Sequence, residues 1–310
     1  VENDDLHLAK INGNLGTLCR EQGDYDMAKM YYLKDAKLCK NLKDVQNSVH
    51  AVANLGLTAF YTRNYKEAVE LFEKQKRLSE KIKDKWSKIN ALNNLSRVYL
   101  ELGDIDRAEE ILLEQLDLTE KLGDKSMNCA ILINLGIVYR NKRNFKKALV
   151  VYKKAEKMAK ELGGLKELSR VFLGTANVYE NLAAYDWAIL NYTKAEEIAI
   201  ELSDSLAQTT IMGNLGVVYD AINDKERAKE CYNKQMKIAE AINDKKCVMM
   251  ALGNLGDLYE EKAVYDDAAF CYEKQLGIAR DMNDLQNMAF ASMNLGLLWY
   301  KQNDLKAAEA

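Results

Sequence analysis

The chain has 310 residues with 44 Lys and Arg against 47 Asp and Glu, a formal net charge of -3. That balance excludes a general nucleic-acid or membrane-surface binder, which needs an excess of cations on one face, while leaving room for a local basic patch. Proline is absent altogether, and charged and apolar residues mix at close range, as in a chain that is helical nearly throughout.

Asn14-Leu15-Gly16 returns at Asn54-Leu55-Gly56, Asn134-Leu135-Gly136, Asn214-Leu215-Gly216, Asn254-Leu255-Gly256 and Asn294-Leu295-Gly296, always at a multiple of forty. At the two remaining multiples it becomes Asn94-Leu95-Ser96 and Gly174-Thr175-Ala176. A fixed period of this length is the signature of a helical repeat array, whose core runs continuously along the stack. The reading is one array over residues 1–310, with repeats at about 4–43, 44–83, 84–123, 124–163, 164–203, 204–243, 244–283 and an incomplete 284–310.

Within each unit the order is constant. Asp4, Asp44, Asp84, Asp124, Asp204, Asp244 and Asp284 share one phase, broken only by Gly164. Aspartate ahead of a helical pattern reads as an N-cap, and the small or polar residue before it as the left-handed end of the preceding helix. A first helix, A, therefore starts at about residue 5 of each unit. It ends at turns such as Gln22-Gly23-Asp24, Leu102-Gly103-Asp104, Ile222-Asn223-Asp224 and Gln302-Asn303-Asp304, with Arg63-Asn64 and Arg143-Asn144 in repeats two and four. Ala183-Ala184 and Ala263-Val264 lack this chemistry, so weaker turns are expected there.

Helix B follows, and Ala28, Ala68, Ala108, Ala148, Ala188, Ala228, Ala268 and Ala308 hold one phase of it without exception. Alanine alone marks a close approach of backbones, with Gly16 and its equivalents doing the same on helix A. One turn later Tyr32, Phe72, Leu112, Tyr152, Tyr192, Tyr232 and Tyr272 are expected to plug the gap between successive helix pairs.

Leu-Gly, then Tyr three residues on, then Ala and an aromatic four further, resembles the tetratricopeptide repeat in its forty-residue form, similar to the LGN/Pins adaptors and kinesin light chains. The match covers all eight units and departs in lacking the proline that often closes the repeat. The resemblance implies an all-α fold, a right-handed superhelical α-solenoid of eight helix-turn-helix repeats. It also implies a concave groove lined by helix A, where asparagines grip the backbone of an extended peptide.

The helical period puts the Asn14 phase about 100° round from buried Leu15, in a stripe with positions 10, 17 and 21. Asparagine is a mediocre helix former, so its recurrence in mid-helix needs a reason. The candidate peptide contacts are Asn14, Asn54, Asn94, Asn134, Asn214, Asn254 and Asn294, with Asn177 one turn later in repeat five where Gly174 takes the phase. Each amide can donate and accept. The alternative is that they bond the neighbouring repeat and set its stacking angle.

Arg20, Arg97, Arg140 and Arg170 lie on or beside the stripe in repeats one to five; Glu180, Asp220, Asp257, Glu260 and Glu261 dominate from five to seven. That division favours a ligand acidic at one end and basic at the other. Leu57, Ile133, Ile137, Leu173, Val217, Met250, Phe290 and Leu297 add apolar spots. In Phe60-Tyr61 and Trp299-Tyr300 one member is expected in the core and the other exposed.

No catalytic constellation, cofactor motif or metal spacing is visible: His7 and His50 stand isolated, and no Gly-rich phosphate loop occurs. Cys19, Cys39, Cys129, Cys231, Cys247 and Cys271 show no CxxC spacing and read as reduced, mostly buried small hydrophobes. With no apolar run long enough for a bilayer and no signal-peptide pattern, a cytoplasmic protein is expected. The start at Val1 and the stop after Leu305-Lys306-Ala307-Ala308 read as a portion of a longer protein, leaving self-association through the unfinished repeat open. The functional expectation is a non-enzymatic adaptor or scaffold that binds a protein or peptide segment in its groove. The rivals are a regulatory domain of a larger effector, such as a protease, kinase or transcription factor, and a scaffold that uses its convex face.

Overall fold

The computed structural model describes residues 2–302, with side chains from residue 4 onward. Among these residues lie fifteen α-helices. The A helices are α1 (Glu2–Glu21), α3 (Val45–Tyr61), α5 (Lys85–Glu101), α7 (Lys125–Asn141), α9 (Leu165–Asn181), α11 (Ser205–Ala221), α13 (Lys245–Glu261) and α15 (Leu285–Lys301). The B helices are α2 (Tyr25–Asn41), α4 (Tyr65–Lys81), α6 (Ile105–Leu122), α8 (Phe145–Leu162), α10 (Tyr185–Glu201), α12 (Lys225–Ala241) and α14 (Tyr265–Asp281). The second helix expected for repeat eight, at residues 305–308, lies outside the described residues. Two compact units are present, Val1–Met158 and Ala159–Ala310.

Each turn takes three residues, except those after α6 and α8, which take two. At the end of α2, the Asp44 amide donates to the Cys39 carbonyl at 2.9 Å and the Lys43 amide to Lys40 at 3.1 Å, so the helix closes through a left-handed residue. Lys43 has φ 55°, and Gly23, Arg63, Lys83 and Ala183 are likewise positive. The left-handed position is thus not reserved for small or polar residues; long cationic side chains occupy it and extend into water. The next residue caps the following helix: the carboxylates of Asp24, Asp44, Asp104, Asp124 and Asp204 each accept the amide three residues on. Asp4 is the exception, since α1 runs from Glu2 straight through it.

Ala184 and Val264 stand at cap positions with no side-chain hydrogen bond, in keeping with the weaker turns expected there. Ala184→Asp is expected to stabilise the chain by about 1 kcal/mol by satisfying an orphan amide of α10. A rise in the urea midpoint with an unchanged slope checks this.

The invariant alanines from Ala28 to Ala268 are completely buried. The role of the glycines differs from expectation. A Cβ on Gly16 would stand 2.7 Å from the Tyr32 ring, and one on Gly56 2.5 Å from the Phe72 ring. The glycine therefore makes room for an aromatic ring of its own hairpin rather than for a neighbouring backbone. Beyond the glycine, the ring joins the next repeat. Ala68 and Phe72 cluster with Leu92, Leu95 and Val98 in the first unit, and Ala228 and Tyr232 with Leu252, Leu255 and Leu258 in the second. Hairpins stack because each B helix offers its Ala and aromatic stripe to the following A helix.

A second buried phase is polar. Gln75, Gln115, Gln235 and Gln275 lie inside their hairpins with Asp35 at the same position in repeat one, and Ala155 and Ala195 take it in repeats four and five. Where it is alanine, a small donor on helix A reaches the alanine carbonyl: Cys129 Sγ to Ala155 and Ser169 Oγ to Ala195.

Candidate functional site

Neighbouring A helices touch directly, α1 with α3 and α3 with α5 in the first unit and α11 with α13 in the second. Within each unit their Asn14-phase side chains therefore follow one another along one face. Asn14 is exposed; Asn54, Asn94, Asn134, Asn177, Asn214, Asn254 and Asn294 are half-buried. Two amides are engaged with the preceding repeat. Asn54 Oδ1 accepts from Arg20 Nη1 at 3.3 Å, and Asn214 Nδ2 donates to Asn177 Oδ1 at 3.1 Å. Asn177 also accepts from the Tyr192 hydroxyl. Asn94 and Asn254 make no side-chain hydrogen bond among the described residues, so their donors and acceptors face solvent.

The B-helix tyrosines reach through to this same face. Tyr32 meets Thr17 Oγ1 at 3.1 Å, Tyr192 donates to Asn177 or Glu180, and Tyr272 lies 2.7 Å from Asp257 Oδ1 and 3.1 Å from Glu260 Oε2. One phenol proton serves one acceptor at a time, so Tyr272 leaves the other carboxylate to its surroundings. Asp257 keeps an exposed edge, but loss of water where its carboxyl packs against Tyr272 raises it above the usual range, and the nearby Glu260, Glu261 and Asp220 add to it.

The acids of the second unit are partly neutralised. Lys225 pairs with Asp220 at 2.7 Å and with Glu261, and Lys301 pairs with Glu260. Beside them Val217, Met250, Phe290 and Leu297 are exposed, as the apolar reading expected. Ile133, by contrast, is core at 2% exposure, because it faces into the hairpin. Tyr61 and Tyr300 are exposed while Phe60 and Trp299 are half-buried and pack at the margins of the core.

Of the candidate arginines, Arg97 is exposed and stacks over the Phe60 ring at 4.8 Å, Arg140 donates to Asn141 at 3.3 Å, and Arg170 is exposed on α9. Phe60 belongs to the preceding repeat, so Arg97 is held flat by a cation–π contact with its charge still open to solvent. Among the six thiols, Cys39, Cys129, Cys231 and Cys271 are buried, and burial pushes Cys231 and Cys271 up to about 11. No group of three or more His, Cys, Asp or Glu side chains that would hold a metal occurs among the described residues.

Three sequence profiles of the tetratricopeptide repeat match the chain, at residues 9–42 and 209–242, at 48–121 and 87–161, and at 251–286. The chain belongs to the tetratricopeptide repeat superfamily. No curated protein matches its sequence. Among solved structures, a tetratricopeptide repeat protein from Parabacteroides merdae aligns over 94% of this chain and 99% of its own, with TM-score 0.66 and 16% identity. A Rap protein complexed with competence and sporulation factor aligns over 89% of this chain and 76% of its own, with TM-score 0.63 and 14% identity. The signal transduction ATPase PH0952 from Pyrococcus horikoshii, which carries a tetratricopeptide repeat sensor, aligns over 98% of this chain, with TM-score 0.68 and 15% identity. The chain spans 51% of that protein. At these identities the likeness establishes a shared α-solenoid fold. Tetratricopeptide repeats are protein-interaction scaffolds, and no described helix here is long and apolar enough to cross a membrane.

The sequence reading missed the buried Asp35 and glutamine phase, whose available signal was the return of glutamine at forty-residue steps in four repeats, at Gln75, Gln115, Gln235 and Gln275.

Proposed function

We propose that the chain is a recognition module that holds an extended segment of a partner protein along its A-helix face. The observation that carries this reading is the pair of half-buried amides, Asn94 and Asn254, which stand in register with the repeat and make no side-chain hydrogen bond among the described residues. Amides that lock hairpins together would be spent internally, as Asn54 and Asn214 are. A peptide backbone supplies the alternating carbonyls and amides that Asn94 and Asn254 lack. Exposed Val217 and Met250 on the same face of the second unit offer apolar seats for anchor side chains. The forty-residue register passes residue 158 without insertion, so the reading takes the chain as one array. This reading takes the six cysteines as reduced thiols of an intracellular protein, a setting supported by their lack of paired spacing.

Asn94→Ala/Asn254→Ala tests it. Against a surface-displayed random peptide library, the intact chain is expected to select ligands whose affinity falls about tenfold in the variant, since each lost hydrogen bond contributes about 1 kcal/mol. Circular dichroism is expected to be unchanged. Equal affinity for both proteins would make the row structural. The likeness to the PH0952 sensor favours a second reading, in which the segment bound here shifts the state of a larger effector. Fusing the chain to its native neighbours and measuring their activity with and without a selected peptide separates the two.

A further inference from the structure

Asp35 is the one charged residue at a phase that otherwise holds glutamine or alanine, and it is 8% exposed. Its Oδ1 accepts the Cys39 thiol at 3.2 Å, the one hydrogen bond its carboxylate makes among the described residues. Burial and the Asp35 contact push that thiol up to about 12, so it remains a donor. Oδ2 is uncovered, because Gly13 opposite has no side chain: a Cβ there would stand 3.2 Å from it. At Gly213 and Gly253 the same bareness is taken up by the amides of Gln235 and Gln275. In repeat one it opens instead into a cleft of about 310 Å³ between α1 and α3, lined by Gly13, Asn14, Asn47, His50 and Asn54 with Asp35 at its floor. The charged or titratable groups facing Asp35 are Lys10 on the rim of α1, His50 on α3, the Asp44 cap and Cys39, and no cation is within ion-pairing distance. A buried carboxylate without a counter-ion is costly and is normally paired. Burial accordingly raises its carboxyl above the ordinary range.

Resting on the groove reading above, we propose that this cleft receives the ammonium of a lysine side chain carried by the bound segment. The geometry selects lysine among cations. Oδ1 already accepts from Cys39 and Oδ2 is the oxygen bared opposite Gly13, so a compact ammonium on a flexible stem fits the single open oxygen better than a guanidinium, which prefers a two-pronged face. Asp35, Cys39, Asp44 and His50 do not come together as a metal-holding group, since no set of three or more His, Cys, Asp or Glu side chains that could bind a metal occurs among the described residues. Asn14 and Asn47 line the same cleft, and because the Asn47 amide nitrogen donates to Asp44 at 2.5 Å, its side-chain oxygen is left to accept from the remaining ammonium hydrogens.

The test follows the Asn side-chain amides of the intact chain by NMR while N-acetyl-lysine N-methylamide, its norleucine analogue and spermidine are titrated separately. The lysine probe is expected to saturate shifts at Asn14 and Asn54 with at least about tenfold tighter binding than the norleucine probe. Asp35→Gln, which installs the residue four other repeats carry at this phase, is expected to abolish that difference while raising the melting temperature of the unliganded protein. The same lysine response in Asp35→Gln, or equal binding of the two probes, overturns the proposal. Asp35-dependent binding of spermidine without that of the lysine probe also overturns it, in favour of a free polyamine. A lowered melting temperature in Asp35→Gln would make Asp35 a structural residue. If the groove reading alone failed, Asn94→Ala/Asn254→Ala would leave selected peptides bound while the cleft still answered to lysine.

Discussion

Gly56→Val is expected to destabilise the chain by about 3 kcal/mol, enough to melt the hairpin of repeat two at ordinary temperature. The added Cβ would stand 2.5 Å from Cε1 of Phe72, whose ring is completely buried and has no free volume to retreat into. The gain in helix propensity on losing a mid-helix glycine, under 1 kcal/mol, does not offset this. Gly56→Ala is expected to cost less, since repeat five already carries Ala176 with Tyr192 at the matching positions. Repeat three shows the compensating solution, Ser96 with Leu112. Gly56→Ser/Phe72→Leu should therefore recover most of the stability lost by Gly56→Ser alone, measured as a coupling in a double-mutant cycle of urea midpoints. Independent, additive losses would mean that the ring and the glycine are not one packing unit.

Removal of the Tyr272 hydroxyl is expected to act through charge rather than volume. Tyr272→Phe keeps the buried ring and deletes the one proton that Asp257 and Glu260 share, a loss of about 1–3 kcal/mol at pH 7 for a hydrogen bond to a charged acceptor. The sign of the pH dependence follows from Asp257. Its folded carboxyl already titrates above the unfolded one, so its ionisation costs stability at neutral pH, and that cost begins to fall as pH drops through the folded value and is gone below the unfolded one. Without the phenol donor the folded value rises further. The variant's deficit should therefore be largest well above the folded value of the Asp257 carboxyl and shrink as pH falls through it, in thermal melts followed by circular dichroism. A deficit that is constant with pH would assign the effect to packing.

Much of the fold is legible in the residues themselves. The forty-residue step of Asn-Leu-Gly, the unbroken alanine series and the aspartate caps each encode a local rule, so their agreement specifies hairpins and their stacking without any long-range information. What was not legible depends on where side chains end. That Gly16 clears a ring rather than a backbone, or that Ile133 turns inward, depends on rotation within the packed hairpin. The asparagines are the clearest instance. Seven share one phase, yet Asn54 is drawn to Arg20 and Asn214 to Asn177, while Asn94 stays unbonded, because the difference lies in which side chain the neighbouring repeat happens to offer. Charge had the same limit: the acidic run from Glu180 to Glu261 is visible in sequence, but the neutralisation of Glu261 by Lys225 and of Glu260 by Lys301 crosses from one repeat to the next.

The measurement that bears most directly on the functional claim is site-specific photo-crosslinking. A benzophenone side chain placed at exposed A-helix positions, Val217 or Met250, is compared with one at exposed B-helix positions, Leu190 or Phe270, each in the full chain with a selected peptide bound. Crosslinks confined to Val217 and Met250, and lost on competition with unlabelled peptide, are the expected result. Crosslinks formed from Leu190 or Phe270 instead would place the partner on the B-helix surface and contradict the account.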